Sequence, residues 1–105
     1  MYTPVTTRAE VIRRLKDAEA EIRALGVRRL ALFGSFARSE AGPESDVDLV
    51  VEFTPGEKSF ARFSSLYDLR DERLARRVEL VTTEALSPYI GPHILAEAED
   101  VIRVA

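Results

Sequence analysis

The 105-residue sequence has no cysteine, so disulfides and thiolate metal sites are both excluded. That absence fits a reducing compartment. No apolar run approaches the roughly 20 residues of a membrane span. The opening Met1-Tyr2-Thr3-Pro4-Val5-Thr6-Thr7 lacks the charged-then-apolar order of a secretory leader. A cytoplasmic protein without a membrane attachment is therefore expected. A basic excess is missing as well: Lys and Arg total 15 against 18 Asp and Glu, a formal net charge of -3. Domains that grip nucleic acid through its phosphates carry such an excess or a basic stripe. Autonomous nucleic-acid binding is accordingly not expected, and the local cluster Arg70, Arg73, Arg76 and Arg77 reads as a solvated helix end. Linkers, internal repeats and low-complexity stretches are absent too. What is present is 46% hydrophobic and 31% charged residues, enough for a core and a well-solvated surface. The length suits one compact domain over residues 1–105.

Hydrophobic spacing outlines the elements. Val11, Ile12, Leu15, Ala18, Ile22 and Leu25 recur at helical intervals, predicting one amphipathic helix over Thr7–Leu25. Thr7 and Glu10 form a capping-box pair, and Gly26 is placed to stop that helix. Leu30-Ala31-Leu32-Phe33 reads as a buried strand that breaks at Gly34-Ser35, with Ser35 capping a short helix over Phe36–Glu40. After the loop at residues 41–45, a second strand covers Asp46–Phe53, with Val47, Leu49, Val51 and Phe53 toward the core and Asp46 and Asp48 outward. A second long helix covers Ser59–Leu74, with Phe60, Phe63, Leu66, Tyr67 and Leu74 on its inner face. A third strand follows at Arg77–Val81, then a helix over Ser87–Ala98 and a last strand near Val101–Val104. Alternating helices and strands predict an α/β (α+β) domain with helices packed on a small mixed sheet. His93 reads as a packed or surface residue, and Tyr2, Tyr67 and Tyr89 as packing residues.

The chemistry concentrates between Gly34 and Leu49. A strand that ends in Gly-Ser and opens a helix exposes unpaired N–H groups, where glycine admits a close ligand and the helix dipole favours an anion. Gly34 and Ser35 are thus a candidate phosphate seat, at which a side chain on residue 34 would intrude on the ligand. Asp46 and Asp48, two apart in a strand, point to one face and repel unless a cation or proton intervenes. Hard cations such as Mg²⁺ take carboxylate oxygens together with substrate phosphates. If the strand of Glu79 neighbours that of Asp48, three carboxylates come within reach of one or two metal ions. Taken singly, each feature has a plainer reading: a helix cap, a solvated strand edge, a polar strand face, and for Arg38 a surface arginine. Their joint order is what points to a site.

Gly34-Ser35, Arg38 and Ser45-Asp46-Val47-Asp48-Leu49 resemble the signature of the DNA polymerase β-type nucleotidyltransferase superfamily. Val78-Glu79-Leu80-Val81, Ala85-Leu86-Ser87-Pro88-Tyr89-Ile90 and Ile94-Leu95 extend the likeness to the minimal nucleotidyltransferases, across nearly all the chain from Val27 onward. The resemblance implies the nucleotidyltransferase fold. It gives Gly34, Ser35 and Arg38 to the triphosphate of ATP, Asp46 and Asp48 to Mg²⁺, and the place of the third carboxylate to Glu79. It further implies transfer of AMP, or another nucleoside monophosphate, to a tyrosine hydroxyl of a helical HEPN-type partner, as the antitoxin of a toxin–antitoxin pair. The chain is too short for the substrate domain of larger relatives, which fits a protein acceptor. Self-association is left open. Two positions depart from the pattern: Glu79 stands where aspartate is commoner, and Ser39 where glycine usually follows the arginine. The departure at Glu79 keeps a second reading in view, a module that neutralises a partner by contact without catalysis.

Overall fold

The computed structural model describes residues 3–104, apart from the side chains of Leu69, Arg70 and Asp71. The expected packing of Tyr2 and solvation of the Arg70 side chain lie outside the described residues. Among these, the order is α1 (Arg8–Asp17), α2 (Glu19–Ala24), β1 (Val27–Phe33), α3 (Gly34–Ala37), β2 (Val47–Phe53), α4 (Phe60–Leu74), β3 (Val78–Thr82), a 3₁₀ turn (Thr83–Ala85), α5 (Gly91–Glu97) and β4 (Glu99–Arg103). The strands form one mixed sheet in the order β3-β2-β1-β4, with β1 antiparallel to β2 and β4, and β2 parallel to β3.

The N-terminal helix starts as its sequence dictates: the Thr7 hydroxyl accepts the Glu10 N–H at 3.1 Å. The Glu10 carboxylate reaches back one residue further than a standard capping box, accepting from the Thr6 N–H at 3.3 Å and the Thr6 hydroxyl at 2.7 Å. The expected single helix over Thr7–Leu25 is instead two. The Ala18 N–H bonds to the Leu15 carbonyl at 3.1 Å, a tighter closure that ends α1 before α2 resumes. Val11, Leu15, Ala18 and Ile22 nevertheless stay buried across the break. Burial decides the stripe, and local backbone closure decides the bend.

Three other expectations are corrected. Phe60 is not on the inner face of α4 but 86% exposed, because it is the first helical residue and lies outside the part of α4 that meets the core. Ser59 caps this helix by accepting the Arg62 N–H at 3.1 Å, while Leu66 and Leu74 carry the buried contacts. The helix expected over Ser87–Ala98 contracts to Gly91–Glu97. The Ser87 hydroxyl accepts the N–H groups of Tyr89 and Ile90, each at 3.1 Å, and holds that segment as a turn. Pro92 then falls in the first turn of α5, where a missing N–H costs nothing. Tyr89 does not pack: it is 86% exposed, whereas Tyr67 is half-buried and donates to the Val78 carbonyl at 3.3 Å. His93 is exposed on α5.

The core lies on one sheet face, where Leu30 and Leu32 of β1, Val47, Leu49, Val51 and Phe53 of β2, and Val78 and Leu80 of β3 meet the apolar stripes of the helices. Buried side chains of this size contribute about 1.5–3 kcal/mol each. The inward alternation along β2 is as its sequence predicts. Among the described residues, no helix is long and apolar enough to cross a membrane.

Strand direction determines what the other end of the sheet presents. Antiparallel pairing sets the C-terminal end of β1 beside the N-terminal end of β2, and parallel pairing sets the start of β3 next to that. β4 begins at the same edge, since it is antiparallel to β1.

Candidate active site

Phe33, the last residue of β1, is paired with Asp48, and Asp48 is paired with Glu79. Residues paired across a ladder share a face, so the register aligns Asp48 and Glu79 at the edge where Gly34 leaves β1. Asp46 sits differently from expectation. It precedes β2, which begins at Val47, so strand pleating does not hold it on the face of Asp48. Its carboxylate lies 3.7 Å from Nε of Arg77. Asp48 is half-buried and Glu79 exposed. Burial, reinforced by the neighbouring Glu79 and Asp46 carboxylates, pushes the Asp48 carboxyl up to about 6. The guanidinium of Arg38 pulls the other way without prevailing.

Gly34 has φ +75, a conformation that few residues other than glycine adopt readily. A Cβ placed there would lie 2.1 Å from Oδ2 of Asp48 and 3.0 Å from its Cγ. The first thing a side chain would meet is thus the aspartate rather than a bound ligand. The expected helix over Phe36–Glu40 capped by Ser35 is replaced by α3 at Gly34–Ala37. Phe33 occupies its N-cap position without a side-chain cap bond, because the glycine itself makes the turn out of the strand. Ser35 lies in the first turn, and its carbonyl accepts the Glu40 N–H at 2.8 Å. Ser39, the position where the resemblance leads one to expect glycine, has φ +59. The backbone has kept the left-handed turn although the residue there carries a side chain.

Two residues that the sequence reading overlooked complete the surroundings. Glu97, at the end of α5, accepts from the Gly34 N–H at 3.2 Å and from Nη1 of Arg38 at 2.5 Å. Glu40 holds the same arginine through Nε at 3.2 Å, and the two carboxylates, Glu40 foremost, raise the guanidinium further above its already high range. Arg76, expected on a solvated helix end, points inward instead. It donates to the carbonyls of Ser45 at 2.7 Å, Val5 at 3.0 Å and Gly42, and stacks over the buried Phe36 ring at 5.0 Å. It therefore ties the loop before Asp46 to α3 and to the N-terminal segment. Arg73 pairs with Glu21 at 2.7 Å, while Arg77 remains exposed. The signal for Glu97 was its place two residues before a strand, which carries meaning only once β4 is known to run antiparallel to β1.

Among the described residues, no group of three or more histidine, aspartate or glutamate side chains is arranged to hold a metal ion. Register gathers Asp48 and Glu79, and the Asp46 carboxylate, 3.7 Å from Nε of Arg77, is close enough to act on Asp48. The donor set still fits a hard divalent cation. Mg²⁺ binds through one or two carboxylates completed by water and phosphate oxygens rather than in an all-protein cage. Asp48 and Glu79, paired across the ladder, supply such carboxylates at one edge of the sheet.

The sequence matches the nucleotidyltransferase domain family over residues 11–101. It is 38% identical over 72 residues to the protein adenylyltransferase MntA of Thermococcus cleftensis, covering 69% of this chain and 72% of that protein. A solved minimal nucleotidyltransferase structure superposes with a TM-score of 0.75 at 32% identity, covering 90% of this chain and 95% of its own. The fold also matches, with a TM-score of 0.60 at 17% identity and coverages of 89% and 73%, a chain of the complex of the tri-AMPylated HEPN toxin of Shewanella oneidensis with its MNT antitoxin.

Proposed function

The chain belongs to the nucleotidyltransferase domain family and is a nucleotidyltransferase, and on that premise we propose that it transfers AMP from ATP, with Mg²⁺, to a tyrosine hydroxyl of a helical HEPN-type partner. In this reading it is a cytoplasmic antitoxin, and residues 1–105 act as one catalytic domain whose acceptor is supplied by the partner. The observation that carries the reading is the convergence, at one sheet edge, of the Gly34 N–H, the Arg38 guanidinium and the Asp48–Glu79 pair. The MntA relative and the AMPylated toxin complex support the choice of AMP and of a protein acceptor.

The roles follow from the chemistry of each group. The Gly34 N–H and Arg38 bind phosphate oxygens, with Ser35 beside them. Asp46 and Asp48, with Glu79, would hold Mg²⁺, which when bound offsets the charge on the triphosphate and on the departing pyrophosphate. The acceptor oxygen bonds to the α-phosphorus, the bond from that phosphorus to the β-bridging oxygen breaks, and pyrophosphate leaves. The proton of the acceptor hydroxyl passes to Glu79, which is exposed at the rim and able to meet a partner side chain.

Labelled ATP, Mg²⁺ and the product of the neighbouring gene test the proposal. Covalent label on the partner is expected from the parent protein. Glu79→Gln should retain partner affinity and lower single-turnover transfer by about 10²–10⁴-fold, and Glu79→Asp should keep substantial transfer. Normal transfer by Glu79→Gln would remove that residue from the mechanism. Tight association with no label from the parent would replace the enzyme with a module that neutralises its partner by contact.

A further inference from the structure

Glu97 already occupies the place that the proposed function gives to phosphate. A single oxygen, Oε1, accepts from both the Gly34 N–H and Arg38 Nη1. A carboxylate and a phosphate are alike to these donors: each is anionic and presents acceptor oxygens to a backbone N–H and a guanidinium. Gly34 has one N–H to give, so the two anions exclude each other there. The ion pair is also easy to leave, with the Glu97 side chain 34% and the Arg38 side chain 47% exposed, a setting in which pairing contributes little. Arg38 keeps Glu40 on Nε while Nη1 is vacated.

We propose that Glu97 is a built-in competitor for the triphosphate, a stand-in anion that fills the seat between turnovers and that only a more highly charged ligand displaces. This rests on the nucleotide-binding reading of the site and adds a residue that sets its affinity. Lone carboxylates and other singly charged anions gain nothing by replacing Glu97. A triphosphate brings several charges and would also meet a cation if Asp48 and Glu79 held one. The seat thereby discriminates by charge before any contact with the base.

Calorimetric titration of Mg–ATP, and separately of tripolyphosphate, into the parent and Glu97→Gln tests this, with melting curves to confirm folding. Glu97→Gln should bind both probes about two- to five-fold more tightly. Glu40→Gln removes the other carboxylate on Arg38, which accepts from Nε at 3.2 Å rather than from Nη1 and Gly34, and should tighten binding less. Unchanged or weaker binding by Glu97→Gln would overturn the competitor role and make Glu97 a residue that orients Arg38. An equal gain in Glu40→Gln would overturn it in favour of a general charge effect. Tighter tripolyphosphate binding without ATP binding would support the competitor and defeat the nucleotide reading. Failure of the parent and Glu97→Gln to bind either probe would overturn both.

Discussion

Gly34→Ala is expected to destabilise the fold through Asp48, before any ligand is considered. Two costs add. An L-residue at φ +75 pays about 1–2 kcal/mol for the left-handed backbone. The new methyl would also lie 2.1, 3.0 and 3.2 Å from Oδ2, Cγ and Cβ of Asp48. Rotating the carboxylate clears the first of these contacts but not the last, since the Asp48 Cβ is fixed by its strand. Overpacking of this kind costs about 1–3 kcal/mol, so the total is roughly 2–5 kcal/mol. At about 4–8 °C per kcal/mol for a domain of this size, the melting temperature should fall by about 8–40 °C. The double variant Gly34→Ala, Asp48→Ala removes the Oδ2 and Cγ contacts but keeps the one with Cβ, so it should recover part of the overpacking cost and retain the backbone cost. Urea unfolding of the four proteins of the cycle would show a coupling of about 0.5–3 kcal/mol. A loss below about 1 kcal/mol in Gly34→Ala, or strict additivity with Asp48→Ala, would refute the contact between these residues as the reason for glycine.

Asp48→Asn should stabilise the metal-free protein at neutral pH. The folded Asp48 carboxyl stands at about 6 against 3.8 in the unfolded chain, so the parent loses stability as pH rises from 3.8 through 6, and the variant should lack that decline. The shift corresponds to about 3 kcal/mol, reduced to about 1 kcal/mol by solvent screening at this half-exposed site; parallel melting curves at pH 4.5 and 7.5 would contradict it. Ser39→Gly should add up to about 1 kcal/mol in urea unfolding by relieving the left-handed backbone. Arg76→Gln should cost about 2–4 kcal/mol by freeing the carbonyls of Val5, Gly42 and Ser45 and its stacking on Phe36. Arg76→Lys should recover less than half of that in the same unfolding assay, because an ammonium lacks the planar fork.

Residue patterns alone determined the mixed α/β class, the identity of each strand, the inward row Val47, Leu49, Val51 and Phe53, and the starts of α1 and α4 at Thr7 and Ser59. These are legible because period-2 and helical hydrophobicity and hydroxyl caps act within a few residues of chain. The short-range misreadings arose where local signals competed. Ala18 joins two helices although its apolar stripe is continuous, and Ser87 holds a turn where apolar residues suggested helix. The Gly34-Ser35 and Asp46-Val47-Asp48 segments declared their chemistry in sequence, but their relation to Glu79 did not follow from it. Whether Asp48 faces Glu79 depends on β2 and β3 being parallel neighbours in one register, and a slip of one residue would turn Glu79 to the core. Strand direction likewise decided that α5 delivers Glu97 to the Gly34 N–H across 63 residues, and that Arg76 turns inward to three carbonyls. Neither contact has a sequence period to reveal it. Each depends on burial and hydrogen-bond satisfaction summed over distant segments, which exist only when the sheet has closed.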